Sequence, residues 1–259
     1  MLKEKYHLKI PTYFVATDYT TYPFLEETHL DGYMIAHPHL KELYMGQGIP
    51  ERIIYSTGIP CMEGKLISRV QKNDARKLLD ELYEWNLKSY TGRWFLIMGG
   101  SMGYGNMMEI VSSLERKCSP DDKILCVCGR NHKEKEKLDK RYGSSDVVKV
   151  IGFTDKIPLM MDACDLLCSK PGGLTSTEAL IKNIPLIHTK PIKGVEDQNA
   201  KFFNERGMSY FPESVEELVE IAVKLCDDRE LRKSMMKAQI ENLYGNSGQN
   251  IVSIIKQKA

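Results

Sequence analysis

The chain has 259 residues, 42% of them hydrophobic and 27% charged, enough for one large or two small domains with a sizeable core. Its formal net charge of +1 provides no global field to attract nucleic acid, so no nucleic-acid partner is expected. No apolar run approaches the ~20 residues needed to cross a bilayer, and Met1 is followed by Leu2-Lys3-Glu4-Lys5 rather than a secretory start, so a cytoplasmic location is expected.

In chain order, Ile10–Ala16 alternates and is rich in β-branched and aromatic residues, which predicts a strand. Tyr33–Ala36 and Arg52–Ser56 predict two more, with a helix over Pro38–Met45 between them. Gly46–Pro50 and Thr57–Pro60 break the chain, and a polar shift from Glu63 to Asp74 places a domain boundary near 60–70. Asn73 then predicts the cap of a helix with Ala75, Leu78, Leu79 and Leu82 on one face. Helix and strand alternate from there. Strands are predicted over Arg93–Met98, Lys123–Cys128, Val147–Ile151, Leu166–Ser169 and Pro185–His188, with a helix after each. The helix after Ser169 spans Thr175–Asn183, and helices near 214–227, 229–242 and 248–257 end the chain. Repeated βα units imply a Rossmann-like α/β fold, a parallel sheet with helices on both faces. The seven cysteines are odd in number and none forms a CxxC pair, so reduced, buried thiols fit better than zinc or disulfides.

Ligands of such sheets bind outside the carboxyl ends of the strands, where the loops 99–105, 129–131, 152–155, 170–175 and 189–199 gather. Gly172 and Gly173 lack a Cβ and open onto a helix N-terminus, whose unpaired N–H groups and dipole favour an anion, phosphate above all. Thr175 and Glu178 also have the spacing of a capping box, and both readings of Glu178 stand. In the second glycine-rich loop the glycines fall at 99, 100, 103 and 105. That is only a loose G-x-G-x-x-G, with no acidic ribose partner ~20 residues on, so a dinucleotide is disfavoured and a plain tight turn is the alternative. Arg130 directly follows a strand; it is either a cationic fork for phosphate or the start of a solvated helix bearing the Lys133–Lys140 charges. His37 and His39 flank Pro38 without a carboxylate or cysteine at ligand spacing, so no metal site and no histidine general base are expected.

The run S-K-P-G-G-L-T-S-T-E-A-L from Ser169, continuing to K-P-I-K-G-V-E-D-Q-N-A-K-F-F at Phe203, resembles the nucleotide-sugar-binding half of glycosyltransferase family 28. C-G-R-N at 128–131 and V-I-G-F-T-D at 150–155 carry the same resemblance, which covers roughly residues 10–255. It is nearest to bacterial processive diacylglycerol glucosyltransferases and plant monogalactosyldiacylglycerol synthases, and more distant from the murein glycosyltransferase that makes lipid II. The resemblance implies a GT-B-type fold, inverting transfer from UDP-glucose, UDP-galactose or UDP-GlcNAc, and a lipid acceptor such as diacylglycerol. It implies no cofactor and a peripheral place on the inner face of the membrane. By position, Glu178 would bind the ribose hydroxyls, and the backbone of Phe153 and Thr154 would face the uracil. Gly99, Gly100, Ser101, Met102 and Gly103, together with Gly172, Gly173, Leu174, Thr175 and Arg130, would hold the diphosphate. Glu196, Asp197, Gln198 and Asn199 would meet the sugar hydroxyls.

The first half of the family's amino-terminal acceptor domain has no counterpart. Residues 1–62 are therefore expected to be an incomplete second α/β domain, 63–242 the donor domain, and 243–259 a helix packing back toward the first. Asp18, in A-T-D-Y-T, is the catalytic candidate, expected at a strand end facing the interdomain cleft; a structural Asp-turn is the alternative. Two other functions remain open. One is a catalytically silent nucleotide-sugar-binding module, or a donor subunit whose partner chain supplies the missing acceptor half. The other is an enzyme like UDP-GlcNAc 2-epimerase, acting without a lipid acceptor.

Overall fold

The computed structural model describes residues 10–61, 66, 68–99 and 106–258. The chain divides into two units, Met1–Glu63 with Tyr244–Ala259 and Gly64–Leu243. In the first, three parallel strands β1 (Tyr13–Val15), β2 (Gly32–Ile35) and β3 (Ile54–Ser56) form a sheet in sequence order. The first strand is shorter than Ile10–Ala16 because Pro11 has no N–H and the Thr12 N–H is taken by Asp31 Oδ2 at 2.6 Å. The predicted helix over Pro38–Met45 splits into a 3₁₀ turn, Pro38–Leu40, and the short α1, Lys41–Met45. Another 3₁₀ turn, Glu51–Ile53, takes the start of the predicted third strand. The terminal helix α10 (Ser247–Lys258) packs on this unit through Gly58, whose φ of +82° no side chain adopts readily. A Cβ there would collide with Ser247 and the Tyr244 carbonyl.

The second unit starts with α2 (Lys72–Tyr83) and alternates β4 (Trp94–Met98), α3 (Met107–Glu115), β5 (Lys123–Val127), α4 (His132–Tyr142), β6 (Val148–Ile151), α5 (Ile157–Ala163), β7 (Leu166–Ser169), α6 (Gly173–Lys182) and β8 (Leu186–His188). Helices α7 (Val195–Glu205), α8 (Val215–Asp227) and α9 (Arg229–Glu241) complete it. The five strands run parallel in the order β6-β5-β4-β7-β8. Alternate residues therefore face opposite sides. Phe95, Ile97, Ile124, Cys126, Leu166, Cys168 and Ile187 join Ile110, Val111 and Leu114 of α3, Leu138 of α4 and Leu218, Val219 and Ala222 of α8 in one buried cluster. Helices α2, α5 and α6 pack successively on one another. Cys126, Cys128, Cys164 and Cys168 are buried thiols.

The amino ends of these strands are tied by buried charge. Arg76, 3% exposed, donates to Asp165 Oδ2 (2.8 Å) and to the carbonyls of Ala163 (2.9 Å), Gly92 (3.0 Å) and Tyr90, and lies over the Trp94 ring. Asp165 also accepts the Trp94 N–H (2.8 Å) and an ammonium N–H from Lys72 (2.5 Å). Lys182 pairs with Asp162 at 2.7 Å and holds the Ser68 carbonyl. This corrects the predicted face of α2. Its buried side is Ala75, Arg76, Leu79 and Asp80, whereas Leu78 and Leu82 are exposed; Gln71, not Asn73, is the N-cap residue. Partners far along the chain bury the charges and leave the leucines outside.

Candidate functional site

Strand order reverses between β4 and β7: the chain goes outward from β4 through β5 to β6, then returns to β7 on the other side. The crevice outside the carboxyl ends at such a switch point is the place for a ligand. The carboxyl end of β4 and the loop after β7 flank it. Gly99 is buried at the end of β4, while Gly100, Ser101, Met102 and Gly103 lie outside the described residues.

After β7 the chain turns through Lys170, Pro171 and Gly172, with the Gly172 N–H on the Lys170 carbonyl at 2.8 Å, and enters α6 at Gly173. Gly172 is the N-cap, with φ −74° and ψ 135°, and Thr175 and Glu178 both lie inside the helix. The capping-box reading is thereby overturned. Neither Gly172 nor Gly173 has a positive φ. What Gly172 provides is room: a Cβ there would have nothing within 4 Å. At this end of the helix the Ser176 N–H reaches the Gly172 carbonyl at 3.0 Å. Leu174 is exposed and Thr175 half-buried at this end. Glu178, in the second turn, is half-buried, and burial raises its carboxyl above the ordinary value.

Polar side chains brace the loop from below. The Asn199 side chain, fully buried, donates to the Pro171 carbonyl at 2.9 Å. Thr177 donates to the Gly173 carbonyl at 2.7 Å. His188, also fully buried, sits with Nε2 3.0 Å from Ser176 Oγ and Nδ1 3.1 Å from Ser209 Oγ, its ring edge-on to Phe203. Burial drops its pKa to about 3, so the imidazole is neutral. Ser169, at the end of β7 between Met98 and His188, is 1% exposed and its hydroxyl has no hydrogen-bond partner among the described residues.

The run 196–199 is not a uniform row of sugar ligands. Glu196 is ion-paired with Lys170 and accepts the Ile192 N–H at 2.8 Å. Asp197 takes the Gly194 N–H at 2.7 Å and so caps α7, with Gly194 at φ +114°, a glycine conformation. Gln198 is exposed. Asn199 stands beneath the glycine loop instead of facing the crevice, a correction of the sequence expectation.

On the other side of the switch point, the Arg130 guanidinium lies 5.1 Å from the centre of the Phe153 ring, which is 67% exposed. Thr154 Oγ1 is 2.9 Å from the Tyr83 hydroxyl and caps the turn by accepting the Lys156 N–H. A cavity of about 570 Å³ adjoins the end of β8, lined among others by Asn106, Ile110, Thr189, Lys190 and Ser214. Among the described residues no three His, Cys, Asp or Glu side chains gather as a metal site. In the first unit, Asp18 follows β1 and accepts the Tyr22 hydroxyl at 2.6 Å and that of Thr17 at 3.4 Å. Burial, and then the Asp18 carboxylate, push the Tyr22 phenol up to about 12, so it stays a donor.

Lys170, Ser169 and His188 escaped the sequence reasoning. The available signal was polar residues at positions that should be apolar in a buried strand, and a cation on the glycine turn.

The family model for group 1 glycosyl transferases matches residues 86–242, and the model for monogalactosyldiacylglycerol (MGDG) synthase matches residues 1–61. A processive diacylglycerol beta-glucosyltransferase of Bacillus licheniformis is 32% identical over 96% of this chain and 63% of its own. One from Staphylococcus carnosus is 29% identical over 94% of this chain and 60% of its own. The chain thus spans somewhat over three fifths of these relatives. Among solved structures, MurG of Acinetobacter baumannii superposes with a TM-score of 0.68 at 17% identity, covering 97% of this chain and 68% of its own. The UDP-GlcNAc 2-epimerase of Neisseria meningitidis, solved with UDP-GlcNAc, gives 0.74 at 15% identity, covering 99% and 72%. At these identities the likeness is one of fold, α/β of the GT-B type.

Proposed function

The chain belongs to the group 1 glycosyl transferases, and from that premise we propose that it carries the donor site of a UDP-sugar-dependent transferase acting on a lipid acceptor such as diacylglycerol. The observation that carries this reading is the helix N-terminus of α6, opening at the switch point through a glycine with free space around it, with Glu178 in the second turn. A diphosphate would lie on the amides of the first turn of α6 and the loop after β4. Glu178 would accept the ribose hydroxyls; Phe153, Thr154 and Arg130 would border the base and phosphates; and the start of α7 would meet the sugar. Transfer would be a direct displacement, with the acceptor hydroxyl attacking the anomeric carbon as UDP departs against the helix dipole. Asp18, held by Tyr22, is the residue proposed to take the acceptor proton. UDP-glucose is the first donor to try, since the curated relatives are glucosyltransferases. Among the described residues no helix is long and apolar enough to cross a membrane, so contact with a lipid acceptor would be peripheral.

Calorimetry with UDP at up to millimolar concentration tests the donor site; no detectable binding would end the proposal. Turnover of UDP-glucose with diacylglycerol tests the reaction. A second reading is a donor-binding module that needs a partner chain for the acceptor side. It predicts UDP binding without turnover.

A further inference from the structure

The ion pair of Lys170 and Glu196 stands at the mouth of the glycine loop. Lys170 is the first residue beyond β7, and its carbonyl takes the Gly172 N–H, so ammonium and glycine share one tight turn. Glu196 reaches it from the first turn of α7, with its other oxygen on the Ile192 N–H. Both side chains are largely covered, 22% and 13% exposed. A carboxylate beside a helix N-terminus that is to receive an anion opposes its guest, unless it is there to hold a cation. Arg130 follows β5, which lies beyond β4 from β7, about 10 Å away across the sheet. Lys170 is the cation on the glycine turn itself.

We propose that Lys170 is a further donor-binding residue, which exchanges Glu196 for the terminal phosphate of the bound diphosphate. Glu196 is its counter-ion, poised beside the site. The inference rests on the donor reading above. The exchange replaces one ion pair by another, with no bond made or broken. It puts positive charge where the leaving group gains negative charge, the placement that raises kcat.

Titrating wild type, Lys170→Met, Lys170→Arg and Glu196→Gln with UDP and with UMP tests it. Neither probe carries the hexose to be transferred, so a role of Glu196 toward hexose hydroxyls does not intrude. Lys170→Met should weaken UDP about tenfold or more and leave UMP within about twofold, and Lys170→Arg should recover most of the loss. Glu196→Gln should bind UDP as tightly as wild type or tighter, since a competitor for the ammonium is gone. The double variant Lys170→Met with Glu196→Gln leaves no buried charge unpaired and should show the same UDP deficit as Lys170→Met. Equal weakening by Lys170→Met and Glu196→Gln would reduce the pair to a strut and overturn the inference. So would a loss of UMP as large as that of UDP, or a double variant that binds UDP normally. Wild type that binds neither nucleotide overturns the donor reading itself, a result distinct from a deficit confined to the lysine variants.

Discussion

Acidification from pH 7 to pH 5 should destabilise the second unit through His188. The ring is fully buried between Ser176 and Ser209, and burial lowers its pKa from 6.5 to about 3. The unfolded chain takes up the proton below 6.5 while the folded chain refuses it until about 3, so stability is full above 6.5 and is lost as pH falls through that window. At 1.36 kcal/mol per pH unit, the contribution lost is about 2 kcal/mol between pH 7 and 5, tending to about 5 kcal/mol at the acid limit. Both tryptophans, Trp85 and Trp94, lie in the second unit, so urea unfolding followed by tryptophan fluorescence reports on it alone. Wild type should lose about 2 kcal/mol more than His188→Gln over this range. Glu178 acts with the opposite sign: its raised carboxyl disfavours the ionised folded state, so the fold gains as pH drops through that raised value. That effect is common to both proteins and cancels in the difference. Parallel pH profiles for wild type and His188→Gln would refute the reasoning.

Other outcomes follow from the same geometry. Glu178→Gln removes a half-buried charge, so thermal melts at neutral pH should show higher stability, while UDP affinity falls about 10- to 150-fold, the worth of a hydrogen bond to a charged group. Arg76→Met leaves Asp165 with Lys72 but takes the donor from the Ala163, Gly92 and Tyr90 carbonyls, and should cost about 1–3 kcal/mol for each carbonyl left unsatisfied in urea unfolding, whereas replacing Lys182 by Met and Asp162 by Leu together should cost far less than Lys182→Met alone. Gly58→Ala combines a positive φ with a collision against Ser247 and the Tyr244 carbonyl. It should destabilise the docking of α10 by at least ~2 kcal/mol, read as faster hydrogen exchange over residues 247–258.

The βα alternation of the second unit was legible because each strand ends in a glycine or polar loop, and that alternation alone sends the loops 99–105, 129–131, 152–155 and 170–175 to one edge. Charge burial was not legible. Leu78 and Leu82 have the helical spacing of a core face, yet Arg76 and Asp80 take the inside, because the partner of Arg76 is Asp165, 89 residues away. The uses of glycine were not legible either. Gly172 has an ordinary backbone and serves by leaving space, whereas Gly194, which the sequence reading passed over, has the conformation that only glycine takes easily. No composition rule separates these two uses, since both depend on atoms outside the local stretch.

The two ends of the five-stranded sheet differ in how they treat charge. At the amino ends Arg76 pairs with Asp165, Lys182 with Asp162, and Arg93 with Asp122 at 2.8 Å, while Lys123 is held by the carbonyls of Pro120 and Asp122. Such pairs hold the strands but leave nothing for a guest. At the carboxyl ends Ser169 has a buried hydroxyl without a partner among the described residues, Glu178 sits where burial works against its charge, and Phe153 is largely exposed beneath a guanidinium. Each is a local expense in a fold whose net stability is only ~5–15 kcal/mol. Three of them on one edge of one sheet are hard to reconcile with a passive scaffold. They are consistent with an edge kept unsatisfied for a phosphorylated, hydroxyl-bearing ligand, which would supply the missing partners on binding.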